Sequence, residues 1–170
     1  MNWRLPLLGL LLGLASCGWQ LRGQGSGDLD LAALSGVYIT ASRDNAVAEA
    51  LRSQLRFRNI SLLEQPAPNS LAVILEDAAM QRRVQTVSGD LRARQLRLQL
   101  DISFSIYNYQ AELLTSEGLQ AVRNFAQNPL EPATTDRQQE QLAQEMAAQL
   151  AEQLIRLLPQ YVFSARENQG

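Results

Sequence analysis

Fifteen residues, 94–108, constrain the fold more than any other stretch of this chain. Leu96, Leu98, Leu100, Ile102, Phe104 and Ile106 alternate there with Gln95, Arg97, Gln99, Asp101, Ser103, Ser105 and Tyr107. A period of two belongs to an extended strand, whose successive side chains point to opposite faces. On a helix the same leucines would scatter around the axis. Such a strand is on the order of 50 Å long, well beyond the usual ~20 Å. Its apolar face needs a cover. Its polar face can stand in water or meet a polar partner surface.

The flanking sequence supplies the cover. Gly36-Val37-Tyr38-Ile39-Thr40 reads as a first strand. Ser42 or Asp44 can cap the helix that follows, in which Val47, Leu51 and Leu55 fall on one stripe. That helix should end near Arg58 and Asn59, before a short strand at 60–63. Strand, helix and strand at this spacing predict a right-handed parallel crossover. Residues 71–75 begin a third strand that can run on to Val87, and Ser88-Gly89-Asp90 turns it into 94–108 as a long antiparallel hairpin. After Glu117-Gly118, residues 119–125 read as a fifth, shorter strand. Asn128-Pro129 and Pro132 keep the next segment irregular. Thr134 or Thr135 then caps a long helix that runs to about Leu158 and is closed by Pro159. Leu142, Met146, Leu150 and Leu154 form one row on it; Ala143, Ala147, Ala151 and Ile155 form the next. The expected fold class is α+β: two helices packed on one face of a mixed, mainly antiparallel four- to five-stranded sheet.

The N-terminus gives an address. Arg4, an apolar run from Leu5, and Leu14-Ala15-Ser16-Cys17 have the order of a secretory signal. The apolar run is too short to span a bilayer, which takes roughly 20 residues. Its ending resembles the lipobox of bacterial lipoproteins, cut before a cysteine that is then acylated. Cys17 is the chain's single cysteine, so no internal disulfide explains it. Acyl chains on Cys17, palmitate among them, would hold the protein firmly on a membrane. Gly18 follows rather than Asp, a pattern that looks like release to the outer membrane in Gram-negative sorting. The expected organisation is a lipoprotein signal peptide at 1–16, a lipidated N-terminus and flexible tether at 17–33, one α+β domain at 34–160, and a polar C-terminal tail at 161–170. Gly23-Gln24-Gly25-Ser26-Gly27 lacks the preceding strand, following helix and Lys of a phosphate-binding loop, so it reads as linker.

Composition narrows the chemistry. The full chain carries a net charge of −2, which speaks against a general nucleic-acid binder. It has no histidine, the commonest general base and metal ligand. No serine lies in a Gly-x-Ser-x-Gly elbow, and no cluster of ligands suggests a metal. No catalytic residue, cofactor or metal is expected. The feature left over is arginine: Arg82 and Arg83 precede the hairpin turn, and Arg92, Arg94 and Arg97 follow it. Guanidinium groups bind phosphate through paired hydrogen bonds, which would suit an anionic lipid headgroup. Equally, arginines at a solvated hairpin tip keep an edge from aggregating.

Taken together, the residues resemble the LptE family of lipopolysaccharide-assembly lipoproteins. The resemblance begins at Cys17-Gly18-Trp19-Gln20-Leu21-Arg22 and continues through Ala48-Glu49-Ala50-Leu51-Arg52-Ser53-Gln54-Leu55. It takes in Arg123-Asn124-Phe125 with Asn128-Pro129, and ends on Ala151-Glu152-Gln153-Leu154-Ile155-Arg156-Leu157-Leu158-Pro159. It implies two helices on a sheet, a complex with the outer-membrane β-barrel LptD in which the protein is lodged as a plug, and contact with lipopolysaccharide through basic residues. The loop at 131–135 has no lysine where some relatives carry a basic residue, and Arg137 is the nearest substitute. The lipopolysaccharide-binding candidates are thus Arg82, Arg83, Arg92, Arg94 and Arg137. The alternative is a periplasmic-facing lipoprotein that binds an anionic lipid or glycan without a barrel partner.

Overall fold

The computed structural model describes residues 31, 33–87, 94–127 and 132–167, with only the backbone given at 86–87, 94, 132–134 and 163–167. In chain order the elements are β1 (Gly36–Thr40), α1 (Ala46–Phe57), β2 (Leu62–Leu63), β3 (Ser70–Leu75), β4 (Ala79–Val87), β5 (Arg94–Asn108), β6 (Leu113–Gln127) and α2 (Pro132–Glu167). Cys17, the tether as far as residue 30, Arg92 and the turn at 88–90 lie outside the described residues, whereas Leu31 at the end of the expected tether is buried in the core.

The long alternating segment is β5, and the sheet is built on it. Along one edge its C-terminal half pairs antiparallel with β3 and its N-terminal half with β4. Along the other edge β6 pairs with it for nearly its whole length. Beyond β3 the sheet continues through β1 and β2, both parallel to their neighbours. The near end is thus five strands wide, and the far end is an arm of three: β4, β5 and β6. The expected α+β architecture holds. It has six strands because what reads as one third strand is two; β6 is also longer than expected, starting at Leu113 rather than near Leu119.

A bulge makes that split. Leu75 stands opposite Phe104, and the Glu76 N–H donates to the Ser103 carbonyl at 2.9 Å. Ala79 then stands opposite Asp101, so Asp77 and Ala78 together face Ile102 alone. One extra residue inverts the alternation downstream. On β3 the odd residues Leu71, Val73 and Leu75 are buried under the helices. On β4 the even residues Met80, Arg82 and Val84 take that face, opposite Leu100, Leu98 and Leu96. Gln85 is a second extra residue in the same strand, skipped in the pairing between Val84 and Thr86.

Both helices pack on one face of the sheet, α2 over β5 and β6 and α1 beside it over β1 and β2, and Leu96, Leu98, Leu100, Ile102, Phe104 and Ile106 of β5 are all buried. α1 contributes Val47, Ala48, Leu51 and Leu55. Its cap is Asn45 rather than Ser42 or Asp44: Oδ1 accepts from the Ala48 N–H at 3.0 Å, while Nδ2 donates to the Glu76 carbonyl at 2.8 Å. One buried side chain therefore caps the helix and satisfies the backbone of the bulge. α2 buries Met146, Ala147, Leu150, Ala151, Leu154 and Ile155 of the two rows read from sequence, and Leu158 beyond them, while Leu142 and Ala143 at the start of the rows are half-buried. It begins at Pro132, where a missing N–H costs nothing, rather than at Thr134 or Thr135. It also runs through Pro159 to Glu167 instead of stopping there. A proline removes one helical hydrogen bond; burial of Leu158 and Val162 on either side of it holds the helix on the sheet.

Candidate partner interface on the open sheet face

The sheet face away from the helices has two kinds of surface. Near the β1 and β3 strands it carries Tyr38, Ala72, Ile74 and Tyr107, set side by side by the register. Along the three-stranded arm it turns polar. Asp101 accepts from Gln99 at 2.9 Å and from Gln120 at 2.8 Å, so two glutamines, one on β5 and one on β6, share one carboxylate. Ser105 and Ser116 pair across the strands at 3.0 Å. Between these groups lies a hollow of about 340 Å³, bounded by Asp77 of the bulge, Ala79, Asp101, Ser103, Gly118 and Gln120. Gly118 opens it: a Cβ there would come no nearer than 3.8 Å to the Ile102 carbonyl, ordinary contact, so the backbone does not require glycine. A second hollow of about 300 Å³ lies farther along, by Gln95, Asn124 and Ala126.

Farther along the arm, next to Asn124 of the second hollow, the register sets Arg83 directly opposite Arg97 on the same face. Like charges opposite one another across strands repel. Arg83 donates to Gln81 at 3.2 Å, and neither arginine has an ion-pair partner among the described residues. Two arginines opposed across adjacent strands, with no ion pair among the described residues, are candidates for holding a phosphate or carboxylate.

The sequence candidates separate accordingly. Arg83 is on the open face. Arg82 is on the helix face, where its Nη1 donates to Gln139 of α2 at 3.3 Å. Arg94 stands opposite Val87 and Gln127, with only its backbone described. Arg137 is exposed on the early part of α2. Sequence reasoning did not pair Arg97 with Arg83, although the alternation of β5 already puts Arg97 on the polar face. What it lacked was the register, which the bulges set. Arg123 also went unassigned as a site residue. It lies on the helix face opposite Leu98 and donates to Gln149 of α2 at 2.5 Å, binding β6 to the helix. Among the described residues no three His, Cys, Asp or Glu side chains are grouped to hold a metal ion. No described helix is long and apolar enough to cross a membrane.

The fold recurs in solved lipoprotein structures. The crystal structure of the rare lipoprotein B from Shewanella oneidensis superposes with a TM-score of 0.66 at 15% identity, over 77% of this chain and 98% of that one. The solution structure of an uncharacterized lipoprotein B from Nitrosomonas europaea gives 0.65 at 17% identity, over 89% and 97%. At these identities they define the class by fold: a single-sheet, two-helix domain of the lipoprotein B type. The sequence carries the assignment further. The LPS-assembly lipoprotein LptE of Photorhabdus laumondii is 30% identical over 161 residues, 91% of this chain and 86% of that protein. Residues 34–158 match the family described as LptE: Lipopolysaccharide-assembly. The chain belongs to the LptE family.

Proposed function

We propose that this protein is an outer-membrane lipoprotein, acylated at Cys17 and facing the periplasm, that forms a complex with the LptD β-barrel as its plug and assembly partner. In that complex it supports lipopolysaccharide transport and insertion into the outer leaflet, with no catalytic step and no cofactor. The observation that carries this reading is the open sheet face. Along the arm it is polar, long and indented. The lumen of an outer-membrane barrel is polar too, whereas its outside is apolar. A surface rich in Gln, Ser, Asn and Arg suits the lumen, and the hollow at Gly118 would receive an inward-pointing side chain. Arg83, with Arg97, is the first candidate for contact with lipopolysaccharide phosphates; Arg82, Arg92, Arg94 and Arg137 are the others.

The test is a mild-detergent pull-down of the tagged, lipidated protein from its own envelope, with mass spectrometry of the partners. A stoichiometric outer-membrane barrel is expected. Gly118→Trp fills the hollow without touching the core, and should lose the barrel while the domain still folds. Full capture by that variant would take the open face out of the interface. A second reading draws on the unneutralised Arg83–Arg97 pair: the domain binds an anionic lipid or glycan with no barrel. It predicts lipid A binding by the isolated domain and no barrel in the pull-down.

A further inference from the structure

The sheet is bordered by β2, β4 and β6, and these borders are guarded unequally. β2 is only two residues long. β4 is entered through the bulge at Asp77 and Ala78, interrupted at Gln85, and carries Arg82 and Arg83. Short strands, bulges and charges are how a protein keeps a stray strand off a sheet edge. β6 is built differently. From Thr115 to Gln127 it pairs with β5 residue for residue, without a bulge, and no described strand lies beyond it.

The register shows which backbone groups face this open edge. The Ser103 carbonyl accepts from the Glu76 N–H at 2.9 Å, so Ser103 turns its backbone groups toward β3 and β4. Ile102 and Phe104 therefore turn theirs toward β6, where their partners are Leu119 and Glu117. The odd residues of β6 thus bond β5. The even ones, Ser116, Gly118, Gln120, Val122, Asn124 and Ala126, aim N–H and C=O away from the sheet. Among the described residues one contact reaches these groups: Arg123 Nη1 donates to the Val122 carbonyl at 2.9 Å. None of the six is charged or a proline, and all but Val122 are exposed. Glu117 and Arg123, the charges of this stretch, lie on the helix face, opposite Phe104 and Leu98.

The position of the edge names its occupant. Gly118 and Gln120 bound the first hollow, and Asn124 and Ala126 the second. The edge is therefore continuous with the open face and enters a barrel lumen together with it. A closed barrel wall has every strand paired on both sides, so it has no edge of its own to offer. The pairing strand must come from a stretch of the partner outside that wall. When a strand is added to an edge, main-chain hydrogen bonds supply affinity and pockets take its alternate side chains. The two hollows lie on the face toward which every second side chain of such a strand would point.

We propose that β6 takes up a seventh strand along residues 116–126: an extended segment of the barrel partner's chain, drawn from outside its closed wall. The proposal rests on the plug reading and adds a main-chain contact to it.

The test is hydrogen exchange on the full, acylated chain, read amide by amide, alone and co-purified with the barrel. Alone, the amides of residues 117, 119, 121, 123 and 125 should be slow, and those of 116, 118, 120, 122, 124 and 126 fast. In the complex the even set should slow by at least about tenfold. A barrel that co-purifies while the even amides stay fast overturns the added strand and leaves the plug reading intact. Absence of any barrel overturns both. Even amides already slow in the chain alone would mean that a second copy, or the chain itself, covers the edge, and would overturn the partner's segment as occupant. A second measurement compares Asn124→Pro with Asn124→Ala in the pull-down. Both remove the side chain, and only proline also removes the outward N–H, which a border strand does not use within its own sheet. Asn124→Pro should capture at least about fivefold less barrel than Asn124→Ala, at the same unfolding midpoint. Equal capture by the two variants overturns the edge contact.

Discussion

The two halves of β5 lie in the same strand and have opposite surroundings. From Ile102 to Asn108 it is the fourth strand of a five-stranded sheet that both helices cover. Phe104 and Ile106 there are fully buried in one core with Leu71, Val73 and Leu75. From Arg94 to Asp101 it is the spine of a three-stranded arm with α2 alone above it. The edge strand of that arm leaves Met80 and Val84, 39% and 55% exposed, on the helix side. The contrast is in width of cover, since the alternation of β5 is the same throughout. The near half is built to be stable. The far half spends little on its own burial and presents two arginines, two hollows and a polar face.

That difference should appear first in stability. Phe104→Ala opens a cavity where the sheet is widest, and is expected to cost about 3–5 kcal/mol in chemical unfolding. Val84→Ala on the arm is expected to stay within about 0.5 kcal/mol. Comparable losses at the two positions would mean that the arm is packed as tightly as the base. The glycines divide the same way. Gly36, with φ of 153°, starts β1 at the near end, and a Cβ there would meet the Ser61 carbonyl at 2.6 Å and Leu63 Cγ at 2.9 Å. Gly36→Ala should cost about 2–3 kcal/mol through strain and the displaced β2 edge. Gly118→Ala, where there is room, should move the unfolding midpoint by no more than about 0.5 kcal/mol. Equal effects at both glycines would contradict the open hollow.

How legible each half was in the sequence follows the same line. The base could be read because burial writes itself into periodicity: the leucines of β5, the stripe of α1 and the two rows of α2 all carry their faces in the sequence. The arm's register could not. Nothing in Glu76-Asp77-Ala78 announces that two residues will face one, yet that extra residue decides whether Arg82 or Arg83 meets the open face. The length of α2 was misjudged for a related reason. Pro159 is a strong local stop signal, but burial of Leu158 and Val162 outweighs one lost hydrogen bond. The cap of α1 was assigned to Ser42 or Asp44 because cap propensity is shared among several residue types. Asn45 is selected by a long-range contact with Glu76 that no local window contains.

Asn45 is also where base and arm join, which gives the next prediction. Asn45→Ala removes the cap of α1 and leaves the Glu76 carbonyl without its side-chain donor, and should cost about 1–2 kcal/mol. Asn45→Asp keeps the cap acceptor and loses the donor to Glu76. It should recover part of the loss, and hydrogen exchange at the amides of residues 76–79 should still rise. Full recovery by Asp, with no change in exchange, would reduce Asn45 to an ordinary cap and leave the bulge to hold itself.

The smallest expected effect on stability has the largest consequence for function. Arg83 and Arg97 oppose each other on the arm with no ion pair to neutralise them among the described residues. Opposed like charges on adjacent strands cost about 0.2–1 kcal/mol. Arg83→Gln with Arg97→Gln should therefore leave stability unchanged or raise it by a few tenths of a kcal/mol. The parent should gain more stability than the double variant when salt is raised, because salt screens a repulsion that only the parent has. If the pair is a site for a phosphate group, the double variant should lose lipid A binding, measured on the isolated domain by calorimetry, while gaining that small stability. A stability gain together with lost binding is the signature of charges placed for a partner at the expense of the fold. A stability loss would mean that the two arginines are held by contacts of their own. Unchanged lipid A binding would move the site to the remaining arginines.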